Sequence, residues 1–181
     1  MNLRLVSRLV GVVLAGLGVV MLVPAALAAV DGTSASLHAY LASSAATLCI
    51  GFVCFLVGRR SPVDLIGPRE AVGVVGFSWI LAGLLGGLPL LLDETVHHPV
   101  DAVFEAMSGF TTTGATILET LEDVSRASLL WRSITHWVGG MGIIVLFVAI
   151  FPQLGVGARH LLSSEVPGPI TERLRPRLKQ T

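Results

Sequence analysis

The sequence predicts an all-α membrane protein with four transmembrane helices and one shorter helix that enters the bilayer and turns back. Three observations predict it. Only 13% of the 181 residues are charged while 53% are hydrophobic, and the mean hydropathy is +0.80. A soluble domain has about a quarter of its residues charged, so this chain is short of the charge needed to coat a water-facing surface. Four apolar runs, Leu9–Val30, Ala39–Val57, Ala71–Leu92 and Leu129–Phe151, approach or exceed the length that crosses a bilayer, which is about 20 residues for about 30 Å of hydrocarbon. Between the last two runs lies Asp101–Thr116, DAVFEAMSGFTTTGAT, whose apolar part is too short to cross.

The first run follows Arg4 and Arg8 and ends near Ala26-Leu27-Ala28, a pattern shared with cleavable secretory signals. It is longer than a signal's apolar region, contains Pro24 and is followed by three further runs, so it reads as a retained helix. Pro24 lacks a backbone N–H and is expected to kink it. The second run holds both cysteines, Cys49 and Cys54, five residues apart and so not on one helical face. They read as small hydrophobes, with no disulfide framework or metal site. In the third run, Gly83 and Gly87 form a small-xxx-small pattern for close helix packing. The fourth contains Gly139-Gly140-Met141-Gly142, denser than packing alone requires. Such a cluster leaves room for a neighbouring segment or allows a bend.

The net charge is zero, but the charges are sorted along the chain. Arg4 and Arg8, then Arg59, Arg60 and Arg69, then Arg159, Arg173, Arg175, Arg177 and Lys179 flank one side of the runs. Asp31, Asp93, Glu94, Asp101, Glu105, Glu119, Glu122 and Asp123, with only Arg126 and Arg132, fall on the other. By the positive-inside rule both termini are cytoplasmic and Asp93–Ser128 faces outward. The acidic outer side either concentrates cations or simply follows from the topology.

The short segment carries the functional expectation. Asp101 is placed as an N-cap, with Glu105 one position beyond the capping-box spacing. Val103, Phe104, Met107 and Phe110 recur at helical intervals, giving a helix of about 15 Å over 101–110. Its C-terminus would point into the membrane, where the negative end of the helix dipole favours a cation. Beyond Gly109 the run Thr111, Thr112, Thr113, Gly114 suits extended backbone. Such backbone is tolerated at depth only where it is buried in protein or lines a watery cavity. The carbonyls of Thr112 and Thr113, with Thr111 at the margin and Gly114 supplying a special conformation, would then take the place of an ion's water shell. The competing reading is a polar outer loop.

FEAMSGFTTTGAT at Phe104–Thr116 and LLWRSITHWVGGMGIIVLFVAIFP at Leu129–Pro152, continuing through LGVGARHLLSSEVPGP at Leu154–Pro169 and RPR at Arg175–Arg177, resemble the Trk/Ktr/HKT superfamily of potassium transporters. Within it, the TrkH-type subunits are most similar. The resemblance implies a pore of four linked helix–pore-loop–helix repeats, each giving one filter glycine, here Gly114. It implies an N-terminal helix pair at 1–60, the first repeat at 61–155 and a cytoplasmic segment at 156–181 leading to a second repeat. It further implies K+ as the transported ion with no cofactor, a multi-pass place in the cell (inner) membrane, homo-oligomers, and a cytosolic nucleotide-binding regulatory partner of TrkA type. Because the chain ends about where the second repeat would begin, a fragment or truncated form is the expectation. A tetramer-forming small cation channel and an accessory subunit without its own pore are the alternatives.

Arg132 and His136 lie four apart, flanked by Trp131 and Trp137, which together read as an interfacial anchor, with a direct role in the ion path as the alternative. Glu105 is a candidate partner for Arg132, and His97 and His98 read as solvated. The basic tail Arg173–Lys179 suits anionic lipid and is too small a basic surface for nucleic acid. An intramembrane enzyme would need a nucleophile–base pair or acidic ligands within the spans; Ser43, Ser44 and Ser78 have no such partner there.

Overall fold

The computed structural model describes residues 1–61, 67–122 and 124–150, with side chains up to Gly142 except that of Pro68. Every regular element among them is an α-helix: α1 (Leu3–Val20), α2 (Leu22–Val30), α3 (Ser34–Gly58), α4 (Pro68–Leu92), α5 (Pro99–Phe110) and α6 (Arg126–Ile150). Residues Met1–Leu146 form one compact unit. The end of the fourth run at Phe151, the basic tail, Asp123 and the segment 156–181 lie outside the described residues.

The first apolar run is two helices, broken at Met21. Pro24 explains the break: it cannot donate to Val20, and its ring crowds that carbonyl. The helices begin earlier than hydropathy suggests because their first turns are polar. Asn2 caps α1 by accepting from the Leu5 N–H at 3.3 Å, which draws Arg4 and Arg8 into the helix. The turn into α3 needs a left-handed residue, supplied by Gly32 at φ +70°.

α1 packs along α3 through glycines. A Cβ on Gly11 would lie 2.5 Å from the Gly51 carbonyl, and one on Gly51 would lie 2.9 Å from the Gly11 carbonyl. Hydroxyls supplement this seam: Ser7 donates to the Cys54 carbonyl at 2.8 Å and Ser44 to the Gly18 carbonyl at 2.7 Å. Val12, Phe52, Val53 and Phe77 remain exposed on the outer faces, as expected where lipid rather than water surrounds a helix. Leu3–Val30, Ser34–Gly58 and Arg69–Leu92 are long and apolar enough to cross a membrane. α5 has 12 residues and is not.

α3, α4 and α6 meet at a polar cluster. Asp93, just after α4, accepts from Ser125 at 2.5 Å and from Ser128 at 2.7 Å, and Ser128 also bonds the buried Tyr40 hydroxyl at 3.0 Å. This cluster leads the chain from α4 over a short loop into α5.

Candidate functional site

α5 begins at Pro99, with His98 as the N-cap, two residues before the expected Asp101. Proline is favoured at the first helical position because its fixed φ suits the helix and its missing N–H would be unpaired anyway. Asp101 therefore sits in the first turn, where its charge still suits the helix dipole.

The helix is wedged between α4 and α6. On the α4 side, Gly83 faces Met107, Gly86 faces the Phe110 ring, and a Cβ on Gly87 would come 2.7 Å from the Ala102 carbonyl. On the α6 side, Gly109 faces the Thr135 hydroxyl and Gly139 lies directly against the Phe110 carbonyl. The glycine cluster of α6 thus leaves room for the end of α5, and a Cβ on Gly140 would lie 3.8 Å from the Thr112 methyl group. Trp131 fills the space between. It is fully buried, donates its Nε1–H to the Gly86 carbonyl at 2.8 Å, and meets Phe110 and Tyr40 edge-on at centroid distances of 6.3 and 6.4 Å. The expectation that Trp131 anchors at an interface is corrected: ring stacking and a carbonyl partner hold it inside. Trp137 is 68% exposed and keeps that reading.

The chain leaves α5 by a left-handed cap rather than as an extended run. The Thr112 N–H donates to the Gly109 carbonyl at 2.9 Å and the Thr113 N–H to the Ser108 carbonyl at 3.0 Å, the bonding of a Schellman motif. The left-handed position, at φ +56°, is held by Thr112. A β-branched residue there is a genuine outlier, at a cost of about 1–2 kcal/mol. Gly114 is left-handed as well, at φ +76°, and among the described residues none but its chain neighbours comes within 4 Å of where a Cβ would stand. Glycine is needed there for conformation, not for space.

Beyond the cap, two side chains of α5 hold the strand. The Ser108 hydroxyl donates to the Ala115 carbonyl at 2.6 Å. One oxygen of Glu105 accepts from the Thr116 hydroxyl at 2.6 Å and from the Ile117 N–H at 2.7 Å. Its other oxygen meets Arg132 Nε at 3.0 Å. Glu105 is 3% exposed, and Arg132 points at it rather than snorkelling; His136 bonds the Arg132 carbonyl at 2.8 Å. The pairing of Glu105 with Arg132 was legible as a possibility in the sequence. The part played by Ser108 was not, although its i+3 spacing from Glu105 places both on one helical face.

This leaves a defined set of acceptors. Among the described residues, the carbonyls of Thr111, Thr112, Thr113 and Gly114 accept no hydrogen bond, while that of Ala115 is taken. Residues Thr111–Ile117 are all exposed. The Thr111 hydroxyl donates to the Met107 carbonyl at 2.7 Å and contacts the Thr113 hydroxyl at 2.8 Å, so these hydroxyls are engaged and the carbonyls are free. A run of free, exposed carbonyls suits a cation that has shed water. His97 and His98 are exposed and line a cavity of about 530 Å³ with Glu94, Asp101 and Glu119. Cys49 and Cys54 are free thiols.

A family model described as TrkH, cation transport protein, matches residues 52–179. The chain is 37% identical over 183 residues to the Trk system potassium uptake protein TrkH of Vibrio parahaemolyticus, covering all of this chain and 37% of that protein. The protein of that name from Escherichia coli K12 is also 37% identical over 183 residues, with 38% of its length covered. The Trk system potassium uptake protein TrkG of Escherichia coli K12 is 36% identical over 148 residues, covering 81% of this chain and 30% of that protein. The crystal structure of the potassium transporter TrkH from Vibrio parahaemolyticus matches with a TM-score of 0.76 at 38% identity, over 87% of this chain and 34% of that one. The chain thus spans little more than a third of the length of the curated relatives it matches.

Proposed function

The chain belongs to the TrkH family of cation transport proteins, and from that premise we propose that it serves K+ transport, with residues 111–114 as one strand of a carbonyl selectivity filter. It is a multi-pass membrane protein, and its relatives are transporters, not enzymes. The observation that carries the reading is the set of free carbonyls from Thr111 to Gly114, presented at the end of a 12-residue apolar helix. Thr112 and Thr113 coordinate the ion, Gly114 sets the strand's path and Thr111 adds the outermost or innermost carbonyl.

α6 is the fourth span and α5 the re-entrant pore helix of a first repeat at 61–155, preceded by a helix pair at 1–60 and followed by a cytoplasmic segment at 156–181. One strand touches one side of an ion, so further strands complete the ring, from additional repeats or other copies. A TrkA-type nucleotide-binding subunit is the proposed cytosolic partner, and the bacterial inner membrane with both termini cytoplasmic the location. In a background lacking Cys49 and Cys54, a cysteine at the exposed Arg60 should label only from the cytoplasm and one at the exposed Glu119 only from outside. Labelling of position 60 from outside inverts the topology.

The filter itself is tested by expressing the complete gene in cells that lack other K+ uptake and comparing K+ with Na+ uptake. Gly114→Ser forces a side chain into a left-handed position, a strain of about 1 kcal/mol or more, and should lower the preference for K+. Unchanged selectivity would remove Gly114 from the filter.

A further inference from the structure

Glu105 is a buried carboxylate, and a carboxylate at that depth is costly unless its charge and lone pairs are met. Three donors meet it, and they come from two different segments. Oε2 faces Arg132 of α6 at 3.0 Å, while Oε1 takes the Thr116 hydroxyl and the Ile117 N–H at 2.6 and 2.7 Å. A pair serving only to join two helices would not spend one oxygen on the chain just beyond the free carbonyls.

We infer that Glu105 and Arg132 are positioning residues for the filter strand, fixing where it leaves α5 and so the spacing of the Thr111–Gly114 carbonyls. This rests on the filter reading proposed above. The near end of the strand is fixed by the helix cap, where the Ser108 carbonyl accepts from the Thr113 N–H. The far end is fixed by Ser108 on Ala115 and by Glu105 on Thr116 and Ile117. Between the anchors, Gly114 has nothing packed against the place of its missing side chain. Carbonyl spacing is then set by the two ends, and Glu105 holds the further one. Arg132 orients the Glu105 carboxylate so that Oε1 is turned to the strand.

A hydrogen bond to a charged group corresponds to a factor of roughly ten or more in an equilibrium. In the complete gene product, Thr116→Val, which removes this bond and the one its hydroxyl accepts from the Leu118 N–H at 3.1 Å, should lower the K+ over Na+ uptake preference by about tenfold. Glu105→Gln keeps an acceptor but loses the charge, and should lower the preference with membrane abundance retained. Arg132→Gln should do the same, with Arg132→Lys restoring part of it, because only arginine offers its donor in a planar fork. If Glu105→Gln does not reach the membrane, Thr116→Val decides. A drop in abundance or total uptake with an unchanged ion ratio in Thr116→Val and Arg132→Gln means a purely structural pair and overturns the inference. Gly114→Ser separates the two failures. A shifted ratio there with unchanged ratios at Thr116 and Arg132 sinks this inference alone, whereas no shift in any variant sinks the filter reading and this inference with it.

Discussion

Two of the helix seams in this protein, α1–α3 and α5–α6, are built from different materials. Between α1 and α3, glycines let backbones touch, the hydrogen bonds between the two helices among the described residues are single hydroxyls on carbonyls, and the Arg8 guanidinium lies over the Phe55 ring at 5.7 Å. Between α5 and α6, glycines also admit a backbone, at Gly139 against Phe110, but a buried ion pair and an edge-on Phe110–Trp131 contact are added, and the Trp131 N–H ties this seam to the Gly86 carbonyl of α4. The difference follows from what each seam joins. α1 and α3 satisfy their own backbones, so shape alone suffices where lipid gives no hydrophobic drive. The α5 side carries a non-helical strand, and each of its polar groups must be met or deliberately left for a ligand.

The largest expected effect on ion uptake comes from adding one methyl group to each seam. Gly139→Ala places a Cβ on the Phe110 carbonyl, and Gly11→Ala places one 2.5 Å from the Gly51 carbonyl. Neither backbone can yield, and overpacking of this kind costs about 1–3 kcal/mol. Both variants should melt at lower temperature in detergent. On the proposed filter reading, Gly139→Ala in the complete gene product should also reduce K+ uptake about tenfold or more and alter the K+/Na+ ratio, because 1.4 kcal/mol at such a site is a tenfold effect. Gly11→Ala should leave the ratio untouched. Equal changes of ratio in the two would erase the distinction between the seams.

A smaller effect isolates the tryptophan. Trp131→Phe keeps a ring between Tyr40 and Phe110 but removes the Nε1 bond to the Gly86 carbonyl. Loss of that bond should cost about 1–2 kcal/mol, read as a lower melting temperature with the ion ratio retained. A changed ratio would mean that Trp131 also positions the strand, and the junction would have to be treated as one unit.

Much of this was legible in the sequence, and the misses share a cause. Length and hydropathy identified the long helices, because burying backbone in lipid leaves few alternatives. Residues 101–110 were legible as a short helix, and Glu105 with Arg132 as a possible pair, since both are unusual residues for apolar surroundings. The true start of α5 was missed because Asp101 was read as the N-cap, although proline at position 99 serves well as a first helical residue. Trp131 was misplaced because residue type favours an interface, whereas its position relative to Gly86 and Phe110 depends on tertiary packing. The left-handed Thr112 went against local propensity altogether. Strain of that sort is characteristic of functional sites, and a preference scale averages it away.

The smallest expected effect, that of Arg126→Gln, sharpens the comparison most, because it sets two ion pairs of α6 against each other. Arg126 meets Asp31 at 2.7 Å and Arg132 meets Glu105 at 3.0 Å, so distance alone ranks the first as stronger. Exposure reverses the order: the Arg126 side chain is 72% exposed and that of Glu105 1%. An exposed pair is screened by salt and must immobilise a long side chain, leaving about 0–1 kcal/mol. Removing one member of a buried pair strands a charge and costs about 3–5 kcal/mol. Arg126→Gln should therefore shift the melting temperature little, and that little should vanish at high salt. Arg132→Gln should shift it far more, nearly independently of salt. A salt-sensitive loss at Arg132, or a large loss at Arg126, would show that burial does not decide between the pairs, and the account of the α5–α6 seam as a protected polar junction would fail with it.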